Sequence, residues 1–247
     1  VISRAKKWFG PVALKPSFLA RGIKAPKRDT LSFGRKGSNS KVSGKGLPTI
    51  TFSRLPVVTC PGSTAECRAL CYALKGTVGL NVGAGNYNAN SSAAANDAAR
   101  LGAALDKQSK PEQPVLLRLH VSGDFDSVEY TDAIRSVLTV RPWVTAWVYT
   151  RSWRKQAEVN APGIRAALRR LSVLLTVTVF ASVDESTAKE RTPKGMRRAY
   201  MGAEAADAAG DTTSLVCPQQ TGKVDGCSSC GWCFGRGGKR SKRNTTF

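Results

Sequence analysis

Histidine is almost absent from this chain, which carries one, His120, among its 247 residues. Mechanisms that depend on paired histidines, such as those of zinc hydrolases, His–Cys nucleophiles and two-metal nucleases, are therefore disfavoured. Long apolar runs are missing as well, because the longest, residues 171–183, is interrupted by serine and threonine. A bilayer-spanning helix needs about 20 apolar residues, so we expect no transmembrane helix.

Targeting and disulfide signals are also lacking. Residues 1–8 contain no apolar segment and no small-residue cleavage site, so we expect no signal peptide and a cytoplasmic location. The chain has seven cysteines, an odd number. In a reducing compartment this argues against a disulfide framework and favours metal-binding or catalytic thiols.

Acidic residues are scarce: 17 Asp and Glu stand against 38 Lys and Arg, giving a net charge of +21 at pH 7. Such an excess predicts a polyanionic partner, and we expect nucleic acid, either DNA or RNA. The sequence has no basic amphipathic helix with a bulky apolar face, so binding to a membrane surface is not expected.

Composition divides the chain into four segments. They are a basic, Gly-, Ser- and Pro-rich N-terminal arm (1–47), an α/β region (48–213), a cysteine-rich segment (214–235) and a basic tail (236–247). The 41% hydrophobic content allows a sizeable core.

Apolar runs and helical periodicity alternate through the α/β region. We predict strands at 47–53, 114–124, 143–150 and 172–183, helices at 91–105, 126–140 and 161–171, a turn over 80–90, and helix and loop over 188–213. This rhythm is typical of parallel βα units, whose strand ends meet at one edge. Five or six strands are too few for an eight-unit barrel, so we predict a partial, open parallel βα barrel.

Three cysteines follow the first predicted strand. Cys60, Cys67 and Cys71 have C-x6-C-x3-C spacing. Thr64 and Glu66 predict the start of a helix that carries Cys67 and Cys71 on one face. The positive end of the helix dipole would suit an anionic thiolate cluster.

The other four cysteines lie in the cysteine-rich segment. Cys227, Cys230 and Cys233 have C-x2-C-x2-C spacing, and Cys217 precedes a proline. This pattern favours one or two [4Fe–4S] clusters, with zinc as the alternative. Two arrangements stay open, because Cys217 can complete its own triplet or supply a fourth ligand to the upstream cysteines.

Further candidate residues lie at predicted strand ends. Gly123 and Asp124 place a carboxylate beside a turn that allows close backbone approach. His120 is predicted to share a polar strand face with Arg118 and Ser122. Nucleic-acid contacts are predicted for Arg151, Trp153, Arg154 and Lys155 in a strand-end loop, and for Arg236, Lys239 and Arg240 in the tail.

Residues 38–234 resemble the phage gene-product-eighty-eight-like family. The resemblance is carried by Ser40-Lys41, Thr59-Cys-Pro-Gly-Ser, Cys67-x3-Cys71-Tyr-Ala, Leu119-His-Val-Ser-Gly-Asp-Phe and Cys227-x2-Cys230-x2-Cys233. It implies a phage or plasmid origin and assigns no activity.

The chain also resembles, more loosely, the radical S-adenosylmethionine enzymes. Their partial barrel carries a three-cysteine cluster after the first strand and a Gly-Gly-Glu-like turn after a later one. Cys60, Cys67, Cys71 and the Gly123–Asp124 turn are similar to these parts, although the family spacing is C-x3-C-x2-C. The resemblance implies S-adenosylmethionine as a cofactor, with Asp124 holding its amine, and the C-terminal cysteines as ligands of an auxiliary cluster.

The sequence thus predicts a phage-type iron–sulfur protein that binds nucleic acid through a strongly basic surface. One alternative is a radical S-adenosylmethionine-type enzyme that acts on nucleic acid. The other is a zinc-stabilised nucleic-acid-binding protein without redox chemistry.

Overall fold

The computed structural model describes residues 31–37, 39, 41–74, 84–235 and 243–247. In this part of the chain seven strands form one sheet. They are β1 (Thr49–Phe52), β2 (Val115–Leu119), β3 (Val144–Thr150), β4 (Val177–Val183), β5 (Arg197–Tyr200), β6 (Leu215–Val216) and β7 (Thr245–Thr246). The order is β1-β2-β3-β4-β5-β7-β6, and every neighbouring pair is parallel.

Short helices connect the strands. The described α-helices are α1 (Ala65–Ala69), α2 (Ala84–Asn90), α3 (Ala98–Asp106), α4 (Val128–Thr139), α5 (Lys155–Asn160), α6 (Ile164–Ser172), α7 (Ala203–Ala208) and α8 (Cys227–Cys230). Three 3₁₀ turns lie at Tyr72–Leu74, Ala93–Asn96 and Glu185–Thr187.

The predicted α/β class and open parallel sheet are confirmed, whereas the partial barrel stays a prediction. β1 forms one edge and β6 the other. Beyond β1, the segment before it makes an isolated antiparallel bridge from Gly34 to Thr51 and a hydrogen bond from Gly37 N to Thr49 O. The first five strands follow one another in chain order, which is the arrangement of consecutive βα units.

One face of the sheet packs against the helices. Leu117 of β2 and Val148 of β3 belong to the main apolar cluster together with Leu101 of α3, Ile134 of α4 and Leu168 of α6. Side chains alternate between faces along a strand, so the remaining residues of β2 and β3 point the other way. We call that second side the inner face.

The inner face is covered by chain from outside the βα units. Leu116 and Trp147 point into it and pack with Val42 and Phe234. The rings of Trp147 and Phe234 are 4.9 Å apart. The cysteine-rich segment therefore lies against the sheet, and the described end of the N-terminal arm packs there as well.

The predicted position of His120 was wrong. β2 ends at Leu119, and His120 has a φ of +56°. This turns the imidazole toward the helix face, where its Nε2 lies 2.7 Å from the hydroxyl of Tyr130. Burial lowers the pKa of His120 well below its usual value, and the charges of Arg54 and Arg118 act in the same direction. His120 is thus a neutral core residue.

Other differences from the predicted elements have local causes. α1 ends at Ala69, so Cys71 lies beyond the helix. The predicted turn over 80–90 contains α2, and the predicted helix over 91–105 is divided because the Asp97 carboxylate accepts hydrogen bonds from Ala99 N and Arg100 N and starts α3. β5 lies in the predicted helix and loop of 188–213, and α5, β6 and β7 were not predicted.

No helix in the described ranges is long and apolar enough to cross a bilayer. Most of the basic arm and the tail residues Arg236, Lys239 and Arg240 lie outside the described residues.

The docking of the cysteine-rich segment can be tested through Phe234, which is 7% exposed. Phe234→Ala should lower the free energy of unfolding by about 3 kcal/mol, because it leaves a cavity beside Trp147. Urea unfolding measures the change. Leu175→Ala is the control, since Leu175 is 90% exposed and should give almost no change. Equal effects of the two substitutions would contradict this account of the packing.

Candidate metal centre

The first thiol group follows β1. Cys60, Cys67 and Cys71 are all half-buried. The loop carrying Cys60 is held by Thr59, whose hydroxyl donates to Leu55 O at 2.7 Å. Thr64 caps α1, as predicted, by accepting a hydrogen bond from Cys67 N at 2.9 Å.

These three thiols lie within range of each other's charge. Burial raises the pKa of Cys60 well above its usual value, with smaller contributions from Asp124, Cys67 and Cys71. Burial also raises the pKa of Cys67, although the positive charge of Arg151 opposes it. Without a further cation the group is therefore protonated near neutral pH, and metal binding there would release protons.

The second thiol group sits on the inner face. Cys217 directly follows β6, Cys227 and Cys230 begin and end α8, and Cys233 precedes Phe234. Burial raises the pKa of Cys227 to about 11 and that of Cys233 to about 12, and Cys217 adds to both shifts. The upstream thiol Cys60 is instead influenced by Cys67 and Cys71. Cys217 is therefore placed with its own triplet.

Backbone contacts with the end of the arm fix α8. Cys227 N donates to Lys41 O at 3.4 Å and Ser228 N to Val42 O at 3.3 Å. A Cβ at Gly226 would lie 1.5 Å from Ser43 O, so only glycine allows this approach. The arm and the cysteine-rich segment, far apart in sequence, thus form one layer.

A row of cations and aromatic rings lies beneath the second thiol group. Arg118 stacks over the Tyr149 ring at 3.9 Å, and Arg197 over the Phe180 ring at 4.4 Å. The rings of Tyr149 and Phe180 are 4.9 Å apart. Tyr149 Oη and Cys233 Sγ are hydrogen-bonded at 2.9 Å. This row places one guanidinium group near Cys227 and another near Cys233.

Both arginines act on the thiols electrostatically. The charge of Arg118 lowers the pKa of Cys227 against the larger effect of burial, and Arg197 does the same for Cys233. Arg118 Nη1 is buried and has no hydrogen-bond acceptor among the described residues. A buried donor without an acceptor is costly, so this nitrogen favours an acceptor on the inner face.

The described thiols do not have the geometry of a metal site. Within the described ranges, no three His, Cys, Asp or Glu side chains are arranged closely enough to hold a metal ion. The thiols of each group lie near one another, and a bound metal would have to draw them together.

Asp124 is buried among the strand ends. Its Oδ1 accepts hydrogen bonds from Thr150 Oγ1 at 2.5 Å and Phe125 N at 2.8 Å, and its Oδ2 accepts one from Arg151 N at 2.7 Å. Gly123 has a φ of +78°, and a Cβ there would lie 2.7 Å from Thr59 Oγ1. The turn therefore requires glycine, and both Asp124 oxygens have donors within the protein.

A buried ion pair lies next to this turn. Arg151 Nη1 and Asp184 Oδ2 are 2.6 Å apart, and both side chains are at most 5% exposed. Burial alone would raise the pKa of Asp184, but hydrogen bonds from Thr64, Ser186 and Thr187 and the charge of Arg151 lower it to about 2. The pair links β3, β4 and the first thiol loop, because Thr64 Oγ1 donates to the same Asp184 oxygen.

Residues 24–236 match the gene product 88 family. The chain belongs to this family. No curated protein and no solved structure matches it. The family match confirms the phage-family resemblance and gives no support to the resemblance to radical S-adenosylmethionine enzymes.

In this gene product 88 protein, the predicted nucleic-acid loop is largely occupied by internal contacts. Trp153 is 1% exposed, and its Nε1 donates to Ser182 O. Arg151 pairs with Asp184, and Arg154 Nη2 lies 2.7 Å from Glu190 Oε1. Lys155 is exposed. Nucleic-acid binding by this loop stays a prediction. In this conformation Lys155 is exposed to a ligand, whereas the buried Trp153 is not available to stack on a base.

Sequence analysis missed the role of the cation–aromatic row. Alternation along β2 and β3 places Arg118 and Tyr149 opposite the core residues, and this signal was available. Arg197 had no such signal, because β5 was not recognised as a strand.

The pKa of Asp124 yields a test. Burial raises it to about 6, above its usual value of 3.8. The folded protein then holds a proton that the unfolded chain loses between about pH 4 and 6, so this carboxyl lowers stability as pH rises through that window. Two pKa units correspond to about 3 kcal/mol.

Asp124→Asn removes this titration. From pH 4 to pH 6, the free energy of unfolding of the wild type should therefore fall by up to about 3 kcal/mol relative to that of Asp124→Asn. Denaturant unfolding of both proteins at several pH values measures this difference. A difference that is independent of pH would show that Asp124 does not titrate in this range.

Proposed function

We propose that this gene product 88 protein is an iron–sulfur protein that binds nucleic acid. Cys217, Cys227, Cys230 and Cys233 would hold a [4Fe–4S] cluster on the inner face. The observation that carries the proposal is the placement of two half-buried arginines within charge range of the C-terminal thiols, Arg118 near Cys227 and Arg197 near Cys233.

The donor set fits such a cluster. Four thiolates are the usual ligands of iron–sulfur clusters, and C-x2-C-x2-C spacing with a separate Cys-Pro resembles the ferredoxin arrangement. A cluster with four thiolates is anionic, and Arg118 and Arg197 would offset part of that charge. Arg118 Nη1, which has no acceptor among the described residues, would gain a sulfur acceptor.

When bound, the cluster would supply one-electron redox chemistry. The protein residues around it would hold its ligands and control its surroundings. Tyr149 would orient Cys233 through the hydrogen bond between them. The packing of Phe234 on Trp147 would exclude water from one side of the site.

A radical S-adenosylmethionine-type enzyme is the second candidate. It is favoured by the position of Cys60, Cys67 and Cys71 at the carboxyl end of β1, beside the Gly123–Asp124 turn of a consecutively ordered parallel sheet. Binding of the S-adenosylmethionine amine by Asp124 fits less well, because both carboxylate oxygens already accept hydrogen bonds from the protein. A zinc site at the same thiols is the third candidate, since thiolates also bind zinc.

Nucleic-acid binding is supported by the overall charge. A net charge of +21 on 247 residues makes electrostatic association with a polyanion strongly favourable at low salt. The affinity should fall steeply as salt is added.

Metal content is the decisive test. Protein purified anaerobically should contain iron and sulfide and absorb broadly in the visible range. Cys227→Ser with Cys230→Ser should remove most iron from the C-terminal site, while the matched triple variant Cys60→Ser, Cys67→Ser and Cys71→Ser should keep it. Zinc without iron or visible absorbance would contradict the iron–sulfur proposal. Release of 5′-deoxyadenosine from S-adenosylmethionine under reducing conditions would favour the second candidate.

The hydrogen bond from Tyr149 can be tested in iron-loaded protein. Tyr149→Phe removes it, so the reduction potential should become more negative, because hydrogen bonds to cluster sulfurs stabilise the reduced state. Potentiometric titration measures the shift. Tyr200→Phe is the control, since the Tyr200 hydroxyl donates to Asp211 and not to a thiol. An unchanged potential in Tyr149→Phe would exclude this role.

A further inference from the structure

A basic cleft lies at the amino-terminal edge of the sheet. One wall is the chain segment that runs beside β1, where Gly37 N donates to Thr49 O. The other wall is the turn between α3 and β2. The cleft has a volume of about 450 Å³ and is lined by Arg35, Lys36, Lys107, Gln108, Ser109, Lys110 and Gln113. None of these residues was assigned to a site from the sequence.

The lining carries positive charge without a compensating acid. Arg35, Lys36, Lys107 and Lys110 are exposed. In the described part of the chain, none of the four forms an ion pair. Glu112 belongs to the same turn but does not line the cleft.

Two arginines outside the cleft have acidic partners. Arg170 lies 2.6 Å from Asp132. Arg141 lies 2.7 Å from Asp106, the last residue of α3. Asp106 directly precedes Lys107, yet its carboxylate binds Arg141 through both oxygens. The Asp106 carboxylate is therefore occupied by Arg141, and Glu112 does not line the cleft, so the cleft keeps its charge.

The walls of the cleft are anchored. Lys36 Nζ donates to Gln113 Oε1 at 3.0 Å, which connects the two walls. Lys110 and Gln113 form a β-bridge, and Ser109 is buried with its hydroxyl donating to Leu105 O. The cations thus project from a structured surface.

We propose that this cleft binds the phosphodiester backbone of nucleic acid. Converging cations in a concave surface focus a positive potential, which attracts phosphate groups. No aromatic side chain is among the described residues that line the cleft, so these residues offer a base no ring to stack on. Binding there is therefore independent of base sequence. The inference rests on the proposed nucleic-acid binding and names its site.

None of the seven cysteines lines the cleft. The cleft borders the amino ends of β1 and β2, whereas Cys60 follows the carboxyl end of β1. Substitutions in the cleft should leave metal content unchanged, and loss of the cysteines should leave backbone binding at the cleft intact.

The test is fluorescence anisotropy with fluorescein-labelled DNA duplex, single-stranded DNA and single-stranded RNA of one mixed sequence. Lys107→Glu with Lys110→Glu should weaken binding to the duplex roughly tenfold or more at low salt. It should also reduce the slope of log K against log salt by about two. A second mixed sequence should give the same affinity.

A matched control changes the net charge equally elsewhere. Arg169 and Lys194 are exposed and form no ion pair among the described residues. Arg169→Glu with Lys194→Glu should reduce the affinity much less than the cleft variant. Because Lys107 lies at the end of α3, where a new negative charge is unfavourable, Lys107→Gln with Lys110→Gln provides a second variant, and thermal unfolding confirms that each protein is folded.

Each outcome bears on a different claim. Equal weakening by the cleft and control variants, or none by the cleft variants, would overturn the cleft proposal while leaving nucleic-acid binding in place. Failure of the wild-type protein to bind any of the three probes would overturn nucleic-acid binding itself, and the cleft proposal with it.

Discussion

The structure depends on covering a parallel sheet on both faces. Parallel strands are stable when both faces are buried, yet the main helical cluster lies on one face only. The inner face is covered instead by Val42, Phe234 and the cysteine-rich segment. The layer that completes the hydrophobic core is therefore the same layer that carries four thiols. Folding of the sheet and assembly of the C-terminal thiol group cannot be separated, because Trp147 and Tyr149 on β3 serve both.

Much of this fold could be predicted from local sequence pattern. The apolar runs at β2, β3 and β4 and the helical spacing between them predict parallel βα units, and Thr64 marks the start of α1. Three kinds of feature could not be predicted. His120 depends on a single positive φ, β5 carries two arginines that hide its apolar pattern, and β6 and β7 are two residues long.

The candidate site was predictable to a similar depth. Cysteine spacing separated the seven thiols into two groups, and the structure places the members of each group near one another. The partner of Cys217 was not decidable from spacing, because it depends on where β6 meets β7. From their positions at strand ends, the sequence predicts that Asp124 binds a cofactor and that Arg151 contacts nucleic acid. Their hydrogen bonds and ion pairs show that both also hold neighbouring strand ends together.

The order of strands at the far edge of the sheet has a consequence for how the molecule is made. β7 lies between β5 and β6, although β6 comes first in the chain. In the described sheet β6 pairs only with β7, so it has no partner until Thr245 and Thr246 have been synthesised. During translation β6, the strand directly before Cys217, therefore stays unpaired until residues 245–246 have been made. The edge of the sheet next to Cys217 is therefore completed last.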